Sequence, residues 1–377
     1  MCGGYYLDQR PPFTFDPLLH AGAYYVQEAS SMYLDDVLRR RLPAGPLVAL
    51  DLCAAPGGKS TLLRSRLTDE SLLVSNEPVH ARSQVLAENL AKWGHPACVV
   101  TQNLPEDFVH LTDTFDLVVT DVPCSGEGMF RKDEEALKEW SLENVDLCWR
   151  RQRDILQAIW PTLKPGGLLV YSTCTFNRLE DEDNARWIAS ALGADLLEER
   201  HFLPGRDRGE GFYLAALRKR GEWAAPVEAN LPKATPVESL QGDFFLLKTP
   251  VGHWALPVRH ALLMQKLRRT LRVLLCGVQV AELKGRNWQP AHALALSTAY
   301  VRGTYPEVAL SYAQAIAYLR REALRIDAPR GIFLVTFRGL PLGFAKGVGG
   351  RANNLYPQEW RIRTTYTPDE PFTLVKE

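Results

Sequence analysis

With 377 residues, 46% of them hydrophobic and 23% charged, the chain has material for a sizeable core and for two or three domains, which excludes wholesale disorder and fibrous repeats. Formal charge is balanced at 44 basic and 44 acidic residues, yet residues 1–220 carry 24 Lys+Arg against 32 Asp+Glu, a net of −8, and residues 221–377 carry 20 against 12, a net of +8. An acidic half followed by a basic half predicts separate tasks, with a polyanion as the partner of the second.

From residue 47 to about 218, short apolar runs alternate with longer amphipathic stretches. The runs are Leu47-Val48-Ala49-Leu50, Leu72-Leu73-Val74-Ser75, Val99-Val100-Thr101, Leu117-Val118-Val119 and Leu168-Leu169-Val170-Tyr171. Strands that are apolar throughout, rather than alternating, are expected to be buried on both faces. With helices between them they predict an α/β fold built on a doubly wound, mostly parallel sheet. Helices are predicted over 60–67, 78–93, 133–161 and 180–192, the last opening with acidic residues that suit a helix N-terminus. Pro161 and the Lys164-Pro165-Gly166-Gly167 turn are expected to end the third helix, and Phe212-Tyr213-Leu214-Ala215 reads as a last strand. Beyond Arg218-Lys219-Arg220, a Pro- and Ala-containing stretch reads as a linker. The expected division is an N-terminal segment at 1–46, an α/β domain at 47–220, a linker at 221–240 and a basic region at 241–377. That last region mixes short strands, such as Phe333-Leu334-Val335-Thr336, with helices such as 311–325, the pattern of a small α+β or barrel-like module.

The seven cysteines, at 2, 53, 98, 124, 148, 174 and 276, form no CxxC pair and no ligand-spaced cluster, so reduced thiols are expected, with neither a disulfide framework nor a metal site. No basic stretch followed by an apolar core opens the chain, and no run of about 18 apolar residues occurs. A cytoplasmic protein without a membrane span is expected.

Asp51-Leu52-Cys53-Ala54-Ala55-Pro56-Gly57-Gly58-Lys59-Ser60-Thr61 follows the first apolar run and opens a predicted helix. Small residues and paired glycines let backbone approach a ligand closely, and free N–H groups at a helix start favour a carboxylate or phosphate. Gly58-Lys59-Ser60 lacks the upstream glycine of a nucleoside-triphosphate loop, because position 53 is Cys53. A glycine turn that only packs helix on sheet is the plainer reading of the loop by itself. Glu77, roughly 20 residues past the glycines, stands where doubly wound sheets place an acid to hold ribose hydroxyls. Loop and acid together predict an adenosine-type cofactor.

Thr120-Asp121-Val122-Pro123-Cys124-Ser125-Gly126-Glu127-Gly128 and Tyr171-Ser172-Thr173-Cys174-Thr175 follow the fourth and fifth runs. Both cysteines are thus expected at carboxyl ends of strands in one sheet, facing one pocket. A single such thiol is usually a small core residue; two at equivalent strand ends point to chemistry.

Three ordered motifs, the loop at 51–61, Asp-Val-Pro-Cys-Ser-Gly at 121–126 and Ser-Thr-Cys-Thr at 172–175, together resemble those of the RNA 5-methylcytosine methyltransferases, in particular the branch acting on 16S ribosomal RNA. The segment Ala21-Gly22-Ala23-Tyr24-Tyr25-Val26-Gln27-Glu28-Ala29-Ser30-Ser31-Met32 is also similar to the one that precedes the cofactor loop in that family. The resemblance implies a Rossmann-like methyltransferase domain at 47–220. It implies S-adenosylmethionine as methyl donor, with Cys53, Ala54, Ala55, Pro56, Gly57, Gly58 and Lys59 around its methionine part and Glu77 on the ribose. Asn103 falls where the family usually has an aspartate near the adenine, and an amide also hydrogen-bonds a purine edge. Asp121 matches the acid between cofactor and target base. Cys174 matches the nucleophile that adds to carbon 6 of cytosine, and Cys124 the thiol that assists release after methylation at carbon 5. DNA cytosine-5 methyltransferases attack instead with the cysteine of a Pro-Cys motif, which would exchange the two roles; the Ser-Thr-Cys-Thr motif argues against that.

In the basic region Lys284, Arg286, Arg320, Arg321, Lys346, Arg351, Arg361 and Arg363 are interleaved with Trp288, Tyr300, Tyr305, Tyr356 and Trp360. Phosphate pairing plus base stacking is what looped RNA requires. Gly339-Leu340-Pro341-Leu342-Gly343-Phe344-Ala345-Lys346 and Asn353-Asn354-Leu355-Tyr356-Pro357 resemble the PUA-like C-terminal part of the same family, which implies RNA as partner, either 16S rRNA or the small ribosomal subunit. The residues before position 47 resemble the tail of an RNA-binding subdomain. A monomer is expected. Transfer RNA is the alternative substrate, and a catalytically idle RNA-binding assembly factor is the alternative from another class.

Overall fold

Each apolar run forms a strand whose alternate side chains serve two different cores, as the computed structural model of residues 4–223, 231–366, 368 and 370–375 shows. Cys2 and part of the expected linker, 224–230, lie outside the described residues. Strands β1 (Val48–Asp51), β2 (Leu72–Asn76), β3 (Cys98–Thr101), β4 (Phe115–Asp121) and β5 (Leu163–Thr173) are mutually parallel. Leu50 and Val118 pack on one face with Phe108, Leu156 and Tyr171. Ala49 and Val119 pack on the other with Leu34, Leu38 and Leu63. With both faces covered, no position in these strands favours a polar residue for solvation, which is why the runs are continuous.

Strands β6 (Ala194–Phe202) and β7 (Phe212–Lys219) complete that side of the sheet in antiparallel pairing, β7 lying between β5 and β6. The segment Ala194–Phe202 escapes a sequence reading because it is an edge strand whose outward positions carry Asp195, Glu198 and Glu199. Charge on an edge also discourages pairing with another chain. The predicted helices shift at their ends, to Gly58–Arg66, His80–Trp93 and Glu182–Ala191. The stretch 133–161 is two helices, Glu134–Glu139 and Leu142–Ile159, because the Ser141 hydroxyl caps the second by accepting from Asn144 N at 3.1 Å. Lys164 to Gly167 do not form a free turn: they lie within β5, where the register against β4 jumps from Phe115–Leu163 to Leu117–Leu168 and absorbs the extra residues as a bulge.

The basic half supplies β8 (Phe244–Lys248), β9 (Gly252–Pro257), β10 (Val273–Cys276), β11 (Val278–Lys284), β12 (Asn287–Pro290), β13 (Glu307–Ala309), β14 (Gly331–Phe337), β15 (Leu340–Gly347) and β16 (Ala352–Asn354). Two four-stranded sheets run β12-β11-β9-β8 and β13-β14-β15-β16, sharing a core that includes Val278, Phe244, Leu334 and Phe344. The expected helix over 311–325 is Tyr312–Leu319, opened by a capping box of Ser311 and Gln314 and stopped before Arg321, whose φ is +63°.

Strand β10 leaves this module and pairs antiparallel with β3, so the large sheet has eight strands in the order β10-β3-β2-β1-β4-β5-β7-β6. The helix Ala261–Thr270 that leads to it buries Ala261, Met264 and Leu267 in the same core as Leu72 and Val99. At the other end of the chain Phe15 and Leu18 enter the core of Tyr318, Phe333 and Val335. The two halves are therefore joined by burial as well as by a linker. Leu267→Ala is expected to cost about 2–5 kcal/mol in a denaturant titration; a loss under about 1 kcal/mol, the range of a surface change, would contradict that burial. Among the described residues no helix is long and apolar enough to cross a membrane.

Candidate active site

The carboxyl ends of β1, β2, β4 and β5 lie side by side, and the candidate residues extend from them. After β1, Gly57 adopts φ +115°, a left-handed conformation open to glycine, and the helix Gly58–Arg66 starts at once. Ser60, in its first turn, donates to Asp51 Oδ2 at 2.7 Å and shares a hydrogen bond of 2.8 Å with Ser75 on β2, tying loop to sheet. Asp51 is fully buried, its Oδ1 has no partner among the described residues, and burial pushes its carboxyl up to about 7. Glu77 follows β2 with 2% exposure; Oε1 accepts from Val79 N at 3.0 Å and Oε2 faces Arg82 at 3.4 Å. Asn103 lies just past β3. Its Oδ1 accepts from Arg272 N at 3.0 Å and its Nδ2 donates to Asp107 at 3.2 Å, so this amide also anchors the approach to β10. The neighbouring Ala54 is buried, and the Ala55 and Pro56 carbonyls accept from Arg82 and Asn89.

The two sulfurs predicted to converge do so: Cys124 Sγ and Cys174 Sγ are 3.1 Å apart. Beside them Lys59 Nζ binds Asp121 Oδ2 at 2.8 Å, and Ser172 donates to Asp121 Oδ1 at 2.9 Å. Lys59 also lies 5.2 Å over the Phe212 ring. Burial opposes charge on Lys59, yet the Asp121 carboxylate outweighs it and holds the ammonium above its usual range. The loop residue thus reaches across to the cysteine strands.

The environment separates the thiols. Among the six described cysteines Cys174 alone is pushed down, chiefly by the hydrogen bond from the Cys124 S–H and with help from Lys59, against burial and Asp121. Cys124 is pushed well up by the same bond, by burial and by the carboxylates of Glu180 and Asp121. Burial, with the carboxylates of Asp51, Asp121 and Glu77 adding to it, drives Cys53 up to about 12, and burial drives Cys98 and Cys276 to about 11, so these three thiols are held protonated. Of the pair, Cys174 is therefore the one whose ionisation is eased and Cys124 the one that is held toward its protonated form. Alkylation of Cys174 by iodoacetamide, followed by mass spectrometry, is expected to rise with pH through a midpoint below that of an ordinary thiol. In Cys124→Ala the limb moves to higher pH, since the hydrogen bond that chiefly depresses Cys174 is gone. An unmoved midpoint would contradict this.

Beneath the sulfurs lies a buried polar network that sequence reading did not find. Glu180, fully buried, accepts from Ser125 N at 3.1 Å, from the Ser125 hydroxyl, from Asn177 Nδ2 at 2.7 Å and from Gln152 Nε2 at 2.7 Å. Gln152 also donates to Pro123 O and accepts from Asn184. Glu127 accepts from the Thr175 hydroxyl at 2.7 Å and from Phe176 N at 3.1 Å. Gly128 N donates to Cys174 O at 2.8 Å, an approach that only glycine allows, since a Cβ there would lie 2.7 Å from that oxygen. The only local sign of Glu180 is the acidic run 180–183, which reads as a solvated helix start; the helix begins at Glu182, and Glu180 points inward before it.

In the basic region six of the eight charges expected at the surface, Lys284, Arg286, Arg321, Lys346, Arg351 and Arg363, are exposed, while Arg320 and Arg361 are half-buried. The aromatics divide. Tyr300 and Tyr356 are buried core residues and present no face to a base, whereas Trp288 is 47% exposed and stacks on His253 at 4.3 Å.

A family model described as 16S rRNA methyltransferase RsmB/F matches residues 43–218, and a second, described as the methyltransferase RsmF PUA domain, matches 305–362. Ribosomal RNA small subunit methyltransferase F of Citrobacter koseri is 31% identical over 391 residues, covering 90% of this chain and 78% of the relative. Its counterpart in Salmonella typhi is 32% identical with the same coverage. Among solved structures, the crystal structure of PH0851 superposes with a TM-score of 0.52 at 24% identity, over 56% of this chain and 50% of that one, a likeness of fold. Sheet order, motif positions and these matches agree: the chain is an RNA methyltransferase and belongs to the 16S rRNA methyltransferase RsmB/F family.

Proposed function

We propose that the protein methylates carbon 5 of a cytosine in 16S ribosomal RNA, using S-adenosylmethionine, through a covalent bond between Cys174 and carbon 6. The observation that carries this reading is the pair of sulfurs 3.1 Å apart with a Lys59–Asp121 pair at their side, the surroundings easing ionisation of Cys174 and opposing that of Cys124. Carbon 5 of cytosine is a weak nucleophile; adding a thiolate at carbon 6 makes it enamine-like, which divides one hard step into two.

Residues suited to hold the cofactor are on the loop and at the neighbouring strand end. Glu77 offers a buried carboxylate for ribose hydroxyls, Asn103 the one amide N–H not given to Asp107 for the purine edge, and the Cys53 to Lys59 loop a glycine turn at a helix start with Asp51 Oδ1, without a partner among the described residues, behind it. When bound, S-adenosylmethionine supplies the methyl group that carbon 5 takes up. Asp121, with Lys59 and Ser172 fixing its two oxygens, is placed to hydrogen-bond N3 and the exocyclic amine and so favour the ring protonation that accompanies attack. Once the Cys174 sulfur is bonded to carbon it no longer carries the charge that retains the Cys124 proton. For Cys124 to act as the base its own proton must first pass to solvent; as a thiolate it then takes the proton on carbon 5, and the carbon–sulfur bond breaks to return the Cys174 thiolate. The target base must leave its stack to reach the strand ends.

The basic surface, with its exposed charges and Trp288, is assigned to phosphate pairing and stacking. Radiolabelled methyl transfer to naked 16S rRNA, 30S particles and tRNA tests the reading, with bisulfite sequencing to locate the product. One protected cytosine in 16S rRNA is the expected result; transfer to tRNA alone, or to none of the three, would overturn it.

A further inference from the structure

The two cysteines lie on different loops, 50 residues apart in sequence; Glu127 and Gly128 tie the far end of the Cys124 loop to Thr175, Phe176 and Cys174 O, but neither holds the residues that flank Cys124 itself. A sulfur separation of 3.1 Å therefore needs something that fixes one loop against the other. We propose that Glu180 is the positioning residue that does so, clamping the Cys124 loop to the Cys174 loop from below and thereby setting the contact between the sulfurs.

The connectivity carries the argument. One oxygen of Glu180 takes the Ser125 hydroxyl and Asn177 Nδ2, and the other takes Ser125 N and Gln152 Nε2. Ser125 is the residue directly after Cys124. Gln152, fully buried in the helix Leu142–Ile159, uses the same amide nitrogen to hold Pro123 O, the residue directly before it, at 3.0 Å. Both neighbours of Cys124 are thus tied to one carboxylate. On the other side, Asn177 lies three residues after Cys174 and also donates to the Thr175 hydroxyl at 3.0 Å, while its Oδ1 accepts from Glu180 N at 3.0 Å. Tyr171, three residues before Cys174, donates to Glu180 O at 2.5 Å. The clamp therefore grips both loops within three residues of each sulfur.

The chemistry of the acceptor matters as well. All four side-chain partners are donors, a set that a carboxylate satisfies with its two oxygens. A carboxamide would turn its own NH2 against at least one of them, leaving buried donors without an acceptor. Glu180 makes no hydrogen bond to either sulfur; besides the charge it adds near Cys124, it acts through Ser125 and, by way of Gln152, through Pro123, and so is a positioning residue. The idea rests on the covalent reading for its consequence in catalysis, but not for the geometry it describes.

The experiment uses the full chain with Glu180→Gln and Glu180→Asp beside the unmodified protein and Cys124→Ala. The substrate-free arm is the pH profile of Cys174 alkylation by iodoacetamide, with the melting temperature recorded for each protein. In Glu180→Gln the profile is expected to move to higher pH, toward that of Cys124→Ala, because the Cys124 S–H no longer reaches the thiolate. Glu180→Asp, still an acceptor only, is expected to return part of the way. The second arm is methyl transfer to 16S rRNA at saturating cofactor: kcat falls about 100-fold in Glu180→Gln, the scale of a displacement near 1 Å, while KM for RNA stays within about twofold. An alkylation profile in a folded Glu180→Gln protein that matches the unmodified one overturns the clamp. So does a profile shifted equally in Glu180→Gln and Glu180→Asp together with a fall in melting temperature, since that is general loosening. If instead the profile shifts as expected and the unmodified protein transfers no methyl group to any RNA, the clamp stands and the covalent reading fails.

Discussion

Cys174→Ala is expected to lose methyl transfer by about ten-thousand-fold or more, because the substitution removes the atom that bonds to the base and leaves only binding and electrostatic assistance. Cys124→Ala has a different outcome. The Cys174 sulfur remains, so attack and methylation proceed more slowly, but the group that takes the carbon 5 proton is gone and the adduct persists. On a denaturing gel with labelled RNA, Cys124→Ala gives a retarded protein–RNA band and Cys174→Ala gives none. The directions of the two shifts support this asymmetry, since Cys174 is pushed down and Cys124 up by one shared hydrogen bond. A retarded band from Cys174→Ala and none from Cys124→Ala would exchange the roles.

Lys59→Met is expected to lower kcat about 100- to 1000-fold at saturating cofactor, the loss typical when one fixed charge is removed from a reacting centre. Lys59 is 13% exposed at its side chain and lies 2.8 Å from Asp121. Without it the Asp121 carboxylate keeps Ser172 but loses the cation that fixes its other oxygen, and the Cys174 thiolate loses its nearest named positive charge. The alkylation profile of Cys174 should then move to higher pH. Lys59→Arg should not restore the rate, because a planar guanidinium cannot occupy the site of a compact ammonium. A kcat within about tenfold of the unmodified protein would show that the pair is incidental.

The parts of this centre legible in the sequence are those tied to a strand end. Cys124 and Cys174 each follow a run that is apolar because both sheet faces are covered, and a doubly wound sheet presents all such ends on one edge. The glycine loop is legible for the same reason. Contacts set by the third dimension were not. Lys59 and Asp121 are 62 residues apart, and nothing local distinguishes a lysine that crosses to β4 from one that holds a ligand in its own loop. Glu180 and Gln152 look like ordinary helix-surface residues until the fold buries them against the Cys124 loop.

The sheet carries a similar lesson. Val273 to Cys276 is apolar enough for a strand, but its partner is β3, more than 170 residues earlier, and local pattern holds no information about that pairing. The edge strand β6 escapes the pattern because its charged outward face mimics a loop, and Tyr300 and Tyr356 read as a stacking surface because an aromatic residue looks alike in a core and at an interface.

The central claim is that Cys174 forms the bond to cytosine while Cys124 governs release. The most direct measurement uses 16S rRNA transcribed with 5-fluorocytidine, whose carbon 5 has no proton to give up, incubated with the protein and S-adenosylmethionine and then digested for mass spectrometry. A nucleotide attached to the peptide containing Cys174 is the predicted result. Attachment at Cys124, or a stable complex with no covalent bond at all, would contradict it.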